Sequence, residues 1–230
     1  MISDKFFFYS KSADKPPGKG NNEYVTNPDY YKELSKVPDW RKTLSNFYVQ
    51  PFILDGEEWN SLEHWYHAAK FRDDKKPGPN FDYYKTFTTS GGKSWSIGGG
   101  YDAWYAGQAG KPRKSGKIDR KSKAGEKLPE DVSMRRDFTM WGNNSISRKA
   151  MTIGFLAKFT QNPMLKKILL DTNEAELWHV INRSPEPEYW DHLMRVRDCI
   201  KKYDSVYDLS KISQIPPEMI TQILSTEKNH

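Results

Sequence analysis

The chain has 230 residues and a net charge of +6, a length that holds one good-sized domain or at most two small ones. Only 36% of the residues are hydrophobic, yet 14% are aromatic, so large rings can supply a core and a disordered chain is excluded. No apolar run is long enough for a membrane span, and the single Cys199 excludes an internal disulfide or a cysteine-based zinc cage.

From the N-terminus, MISDKFFFYS has an acidic residue and only a short apolar burst, unlike a secretory signal. The expected address is cytosol or nucleus. Phe6-Phe7-Phe8-Tyr9, ended by Ser10, predicts a short buried strand. The stretch from Ser12 to Lys42 carries Pro16-Pro17, Gly18 and Asn21-Asn22 and reads as a surface excursion with one short helix. Phe47 to Leu54 is β-rich, and Pro51 inside it argues for a sheet edge or a bulge. Asp55-Gly56 predicts a tight turn into Glu57-Glu58-Trp59, and so a hairpin. A helix follows: Asn60-Ser61-Leu62-Glu63 fits a capping box, with Asn60 as N-cap and Glu63 at N3. Along it Glu63, His67 and Lys70 stand at i, i+4 and i+7 and share one face.

The middle zone, Arg72 to Arg136, is polar and rich in glycine, and Trp95, Tyr101, Trp104 and Tyr105 are expected to pack part of it down. Between Lys111 and Lys123 lie seven Lys and Arg against the single Asp119. Such a segment can follow a phosphate backbone or be a solvated loop. Gly110-Lys111 is no phosphate loop, because Pro112 replaces the needed Ser or Thr and the upstream glycine is absent.

From Phe138 onward the pattern is helical. Ser145 can cap a helix of about Ser147 to Thr160, with Met151, Phe155, Leu156 and Phe159 inward. Asn162-Pro163 resets the chain before a helix from Met164 to Leu170; Glu174 to Val180 and Tyr189 to Tyr203 continue the pattern. Pro216-Pro217 opens a last short helix through Leu224. Cys199, inside one of these helices, reads as a packed thiol.

Among chemical groups, His64 and His67 could offer two ring nitrogens to a metal, but further ligands at suitable spacing are missing, so no metal is expected. No G-x-S-x-G elbow is present. The Glu63–His67–Lys70 face is different. Burial beside aromatics lowers a lysine's pKa and raises a glutamate's, which suits an amine nucleophile with an acid/base partner. Paired directly as ions, the two would keep the amine protonated. Alternatively Glu63 only caps the helix and Lys70 only covers apolar surface with its stem.

Taken together, Leu44-Ser45-Asn46-Phe47-Tyr48, Pro51-Phe52, Gly56, Ser61-Leu62-Glu63-His64 and Ala68-Ala69-Lys70-Phe71 resemble the NADAR (YbiA-like) family. Phe8-Tyr9-Ser10 is similar to that family's first strand, and Arg148, Met151, Lys158-Phe159, Gln161-Asn162, Leu165, Leu169-Leu170, Thr172 and Leu177 to its C-terminal half. The resemblance implies an α+β, mainly helical fold with a small antiparallel sheet or hairpin. It implies one such domain over residues 1–230, with a glycine-rich basic insertion at about 72–136.

It also implies N-glycosidic chemistry without a cofactor. The guanine branch of the family removes ADP-ribose from guanine in DNA or RNA through a lysine Schiff base, and Lys70 with Glu63 stands where that machinery would be. Asn46, Phe47, Tyr48, Trp141, Arg148, His179 and Ser10 are the substrate-binding candidates, and ADP-ribose and ADP-ribosylated nucleic acid are the expected partners. The basic middle zone favours that branch over a free metabolite. The alternatives are hydrolysis of phosphoribosylamino-pyrimidine intermediates of riboflavin synthesis and a non-catalytic ADP-ribose reader. One departure stands out: His179 occupies a place where the family more often has an acid.

Overall fold

A computed structural model describes residues 3–72, 77–111, 115, 117–123, 125–139, 145–181, 184, 186–204, 208, 215 and 217–225. The chain divides into two compact units, Met1–Tyr48 with Phe155–Leu224, and Val49–Gly154 with Ser225–His230.

The first unit is built on a three-stranded sheet. The strand β1 (Lys5–Phe8) pairs in parallel with β4 (Glu176–His179), which pairs antiparallel with β5 (Glu188–Tyr189). Glu176–His179 therefore departs from the helical expectation: Phe6 opposes Leu177 and Phe8 opposes His179. Phe6 and Phe8 alternate into the core as a half-buried strand requires, Phe6 edge-on to Tyr31 and Trp40, Phe8 edge-on to Trp190. The Ser12–Lys42 excursion is more deeply packed than expected. It holds two short 3-10 turns and the helix α1 (Trp40–Leu44), and it buries Tyr31, Leu34 and Trp40.

Inside that excursion one carboxylate gathers five donors. Glu23 accepts from the backbone N–H groups of Phe7, Gly18 and Gly20 and from Nε and Nη2 of Arg41. Helices α6 (Pro163–Asp171), α7 (Asp191–Tyr203) and α8 (Pro217–Leu224) complete the unit. Cys199 is buried in α7, and burial pushes its thiol up to about 11, an inert packed sulfur.

The second unit begins with a hairpin of β2 (Val49–Leu54) and β3 (Glu57–Ser61). Asp55 and Gly56 both have positive φ, the conformation that a two-residue hairpin turn demands. The register slips between Val49 and Phe52, so Pro51 sits in a bulge on an edge strand, where its missing N–H is harmless. Then come α2 (Leu62–Ala69), α3 (Pro79–Lys85) and α4 (Gly100–Ala106). Trp59 stands edge-on to both Trp65 and Tyr84, and Phe71 edge-on to Tyr83. The middle zone thus supplies core, since Tyr83, Tyr84, Phe87, Trp95, Leu128 and Val132 are all buried.

The division between the units falls within α5 (Ile146–Thr160), whose first turn is capped by Ser145 Oγ accepting from Arg148 N–H at 3.2 Å. The fold class is α+β with eight α-helices among the described residues and small sheets. The antiparallel hairpin is as expected, and the second sheet is mixed. No described helix is long and apolar enough to cross a membrane.

Candidate active site

The chemistry gathers on α2. Ser61 occupies the N-cap without a capping bond, because its hydroxyl lies 2.7 Å from Nδ1 of His64. Nε2 of His64 is 2.8 Å from the Trp95 carbonyl. A carbonyl only accepts, so Nε2 carries the proton and Ser61 donates to Nδ1. Both ring nitrogens of His64 are engaged, and neither is open to a metal. Among the described residues no cluster of His, Cys, Asp or Glu has metal-binding geometry.

The expected capping box does not form. Asn60 lies in β3 and its side-chain amide donates to the Gly98 carbonyl at 2.7 Å. The Glu63 carboxylate is instead 2.8 Å from Nε2 of His67, one turn along the same face. Nδ1 of His67 is in turn 2.7 Å from the Lys70 amine. The carboxylate accepts, so Nε2–H of His67 donates to it and Nδ1 turns its lone pair to the amine. The direct Glu63–Lys70 ion pair weighed from sequence gives way to an acid–imidazole–amine line.

Burial sets the protonation of this line. The side chain of His67 is 1% exposed. Its desolvation and the neighbouring Lys70 charge hold it down to about 4, against the pull of Glu63. Lys70 is half-buried at the end of α2, with its amine 5.0 Å from the Tyr66 ring centroid. Desolvation brings the amine down to about 7; Glu63 opposes the shift and Lys111 adds to it. A substantial fraction is therefore uncharged near neutral pH, beside a neutral imidazole whose Nδ1 lone pair faces the amine.

The fit depends on Gly107. Its carbonyl lies 3.5 Å from the Lys70 amine, and a Cβ at this position would overlap the His67 ring. The turn after α4 can pack on the relay only without a side chain. His67 and Gly107 are the two positions that sequence reasoning left without a role. The signal for His67 was present in its place between Glu63 and Lys70 on one helical face. Gly107 had none, because its contact is made across 40 residues of chain.

The other predicted positions divide between the units. Arg148 is in the same unit as Lys70, buried in the first turn of α5 rather than on a helix surface. Ser10, Asn46, Phe47, Tyr48 and His179 belong to the other unit. Trp141 lies outside the described residues. Ser10 is in the turn closing β1, where Tyr9 N–H donates to Ser12 Oγ at 2.9 Å. Asn46 is buried, Phe47 and Tyr48 half-buried. Their loop is held by Lys158, a fully buried lysine whose amine donates to the carbonyls of Thr43 and Ser45 at 2.7 and 2.8 Å. His179 stacks on Trp190 with centroids 4.1 Å apart. Burial and His192 push its pKa down to about 3, so its ring is neutral and packed where an acid was the commoner expectation.

The model of the NADAR domain family matches residues 30–202 of this sequence, well over half of the chain. The chain belongs to the NADAR family. The matched span includes both the α2 relay and the basic middle zone. NADAR proteins include N-glycosidases, which supports a glycosidase-type hydrolytic function here. The NMR structure of the E. coli protein YbiA is similar over 90% of this chain and 91% of that one, at 17% identity and a TM-score of 0.49. Among curated proteins none matches by sequence.

Proposed function

We propose that this NADAR protein is an N-glycosidase that removes ADP-ribose from ADP-ribosylated guanine in DNA or RNA through a Schiff base on Lys70. The observation that carries the reading is the Lys70 amine, half-buried, lowered to about 7 and 2.7 Å from a neutral imidazole. A reader that only binds has no need of such an amine. The seven cations between Lys111 and Lys123 favour a nucleic-acid-sized substrate over a small metabolite.

In this mechanism the Lys70 lone pair forms a bond to the anomeric carbon of the ribose. The bond from that carbon to guanine breaks, its electron pair leaving with the base, which takes a proton from water. His67 accepts the proton lost by the new secondary amine, and Glu63 steadies the imidazolium. The ring carbon–oxygen bond then opens, the oxygen taking that proton, and a protonated imine remains. Water adds to the imine carbon, the carbon–nitrogen bond breaks, and ADP-ribose leaves with the amine restored. The net reaction consumes one water. Asn46, Phe47, Tyr48, Trp141, Arg148, His179 and Ser10 stand as substrate-binding proposals, the aromatic members through stacking and Arg148 through phosphate.

The test is incubation with a guanine-ADP-ribosylated oligonucleotide, read as freed ADP-ribose and restored guanine, with borohydride added in a parallel arm. Release of ADP-ribose and a reduced adduct on Lys70 are the expected results. Turnover of a phosphoribosylamino-pyrimidine in place of the oligonucleotide would move the protein to the other branch. Binding of ADP-ribose with no product from either substrate would leave a reader.

A further inference from the structure

A second surface lies next to the relay, in the same unit. Helix α4 packs against α2, and the segment leaving it carries Gly107 to the Lys70 amine. On the outer side of α4, Tyr105 is 39% exposed, and its ring lies 5.0 Å from that of the half-buried Trp104. Lys123 N–H donates to the Tyr105 carbonyl at 3.2 Å, and its ammonium sits 4.7 Å from the Trp104 ring centroid.

The basic segment is tied down and is not a loose loop where it is described. Gly110 N–H donates to Asp119, Asp119 N–H to Lys111, Ser122 N–H to Glu126 and Leu128 N–H to Arg120. The Arg120 guanidinium spends itself on the carbonyls of Leu128, Pro129 and Val132. Its neighbours do not. Lys111, Lys117, Lys121 and Lys123 are exposed, and none has an acidic partner among the described residues. Lys111 is near enough to Lys70 for its charge to help lower that amine.

We infer that Trp104 and Tyr105, with the lysines Lys111, Lys117, Lys121 and Lys123, form a docking surface for single-stranded nucleic acid that carries the strand past Lys70. Charge complementarity selects a polyanion, and the rings select its form. Ammonium groups meet the phosphates, while the exposed Tyr105 ring, backed by Trp104, stacks only on bases whose faces are open. A duplex hides those faces. The inference rests on the proposed nucleic-acid substrate and adds to it the strand state and the surface that reads it.

The test uses the full chain and an unmodified single-stranded oligonucleotide, followed by fluorescence anisotropy beside a duplex of the same sequence. The single strand binds at least tenfold more tightly. With four phosphate contacts, the plot of log K against log salt has a slope of about −3. Lys117→Glu with Lys121→Glu weakens binding at least tenfold and flattens that slope. Tyr105→Ala weakens it about tenfold with the slope unchanged. Duplex bound as tightly as single strand, no binding, or variants equal to wild type overturns the surface. Binding to unmodified strand involves no glycosidic bond, so an inactive protein that binds it leaves this inference standing. Equal kcat/KM on ADP-ribosylated guanosine and on modified oligonucleotide, without strand binding, removes the surface and leaves the glycosidase.

Discussion

Two lysines, one in each unit, have amines that burial drives down to about 7, and their surroundings differ in kind. Lys158 is wholly enclosed; its amine donates to two backbone carbonyls at the end of α1 and lies over the rings of Tyr48 and Phe159. Carbonyl oxygens accept hydrogen bonds and take no proton, so this amine fastens a loop. Lys70 is half-open and faces an imidazole that can take a proton, backed by a carboxylate. A lowered pKa reports burial; the partner decides whether the amine can do chemistry.

The sharpest way to break this comparison is to exchange each lysine. Lys70→Ala should lower turnover on the order of 10⁴-fold and abolish the borohydride adduct, while the melting temperature stays close to wild type. Lys158→Met should do the reverse. Two buried carbonyls lose their donor, so urea unfolding should show a loss of about 2–4 kcal/mol, and the folded fraction should still form the adduct on Lys70. An adduct on residue 158 in place of residue 70 would reverse the assignment.

His67→Gln gives the finer test. The rate of the wild type should rise through about pH 7 and level on the alkaline side, because only the uncharged amine attacks and Lys70 is protonated below its pKa. Without the imidazole, kcat at neutral pH should fall about 100-fold with KM little changed. The deficit should narrow as pH rises, since hydroxide then takes the proton that the new secondary amine otherwise gives to His67. A deficit constant across pH would make His67 a packing residue only.

Local chemistry made much of this legible. Asp55-Gly56, Pro51 and Ser145 each act within a few residues of themselves, and each gives the turn, bulge or cap that its side chain suggests. What escaped was decided at distance. The strand Glu176–His179 exists because β1 pairs with it in parallel across some 170 residues, and no local pattern in ELWH announces that. The capping-box reading failed because Glu63 found His67 one turn on and Asn60 found Gly98 across the chain. Lys158 reads in sequence as an ordinary helical lysine, and only the carbonyls of Thr43 and Ser45, over 110 residues away, explain its burial. At the site, the residue types on the face of α2 were readable. The order in which they touch was not, because it depends on side-chain direction.

The Glu23–Arg41 pair limits how this chain can vary. With both side chains shielded from water, changing either alone strands the opposite charge in the interior, a loss of about 3–5 kcal/mol. Drift at these two positions must then pass through a nearly non-viable intermediate or replace both at once. The proline- and glycine-marked excursion, which looks like the most expendable stretch of the sequence, is bound by that one carboxylate to the first strand and should be inherited as a unit with it.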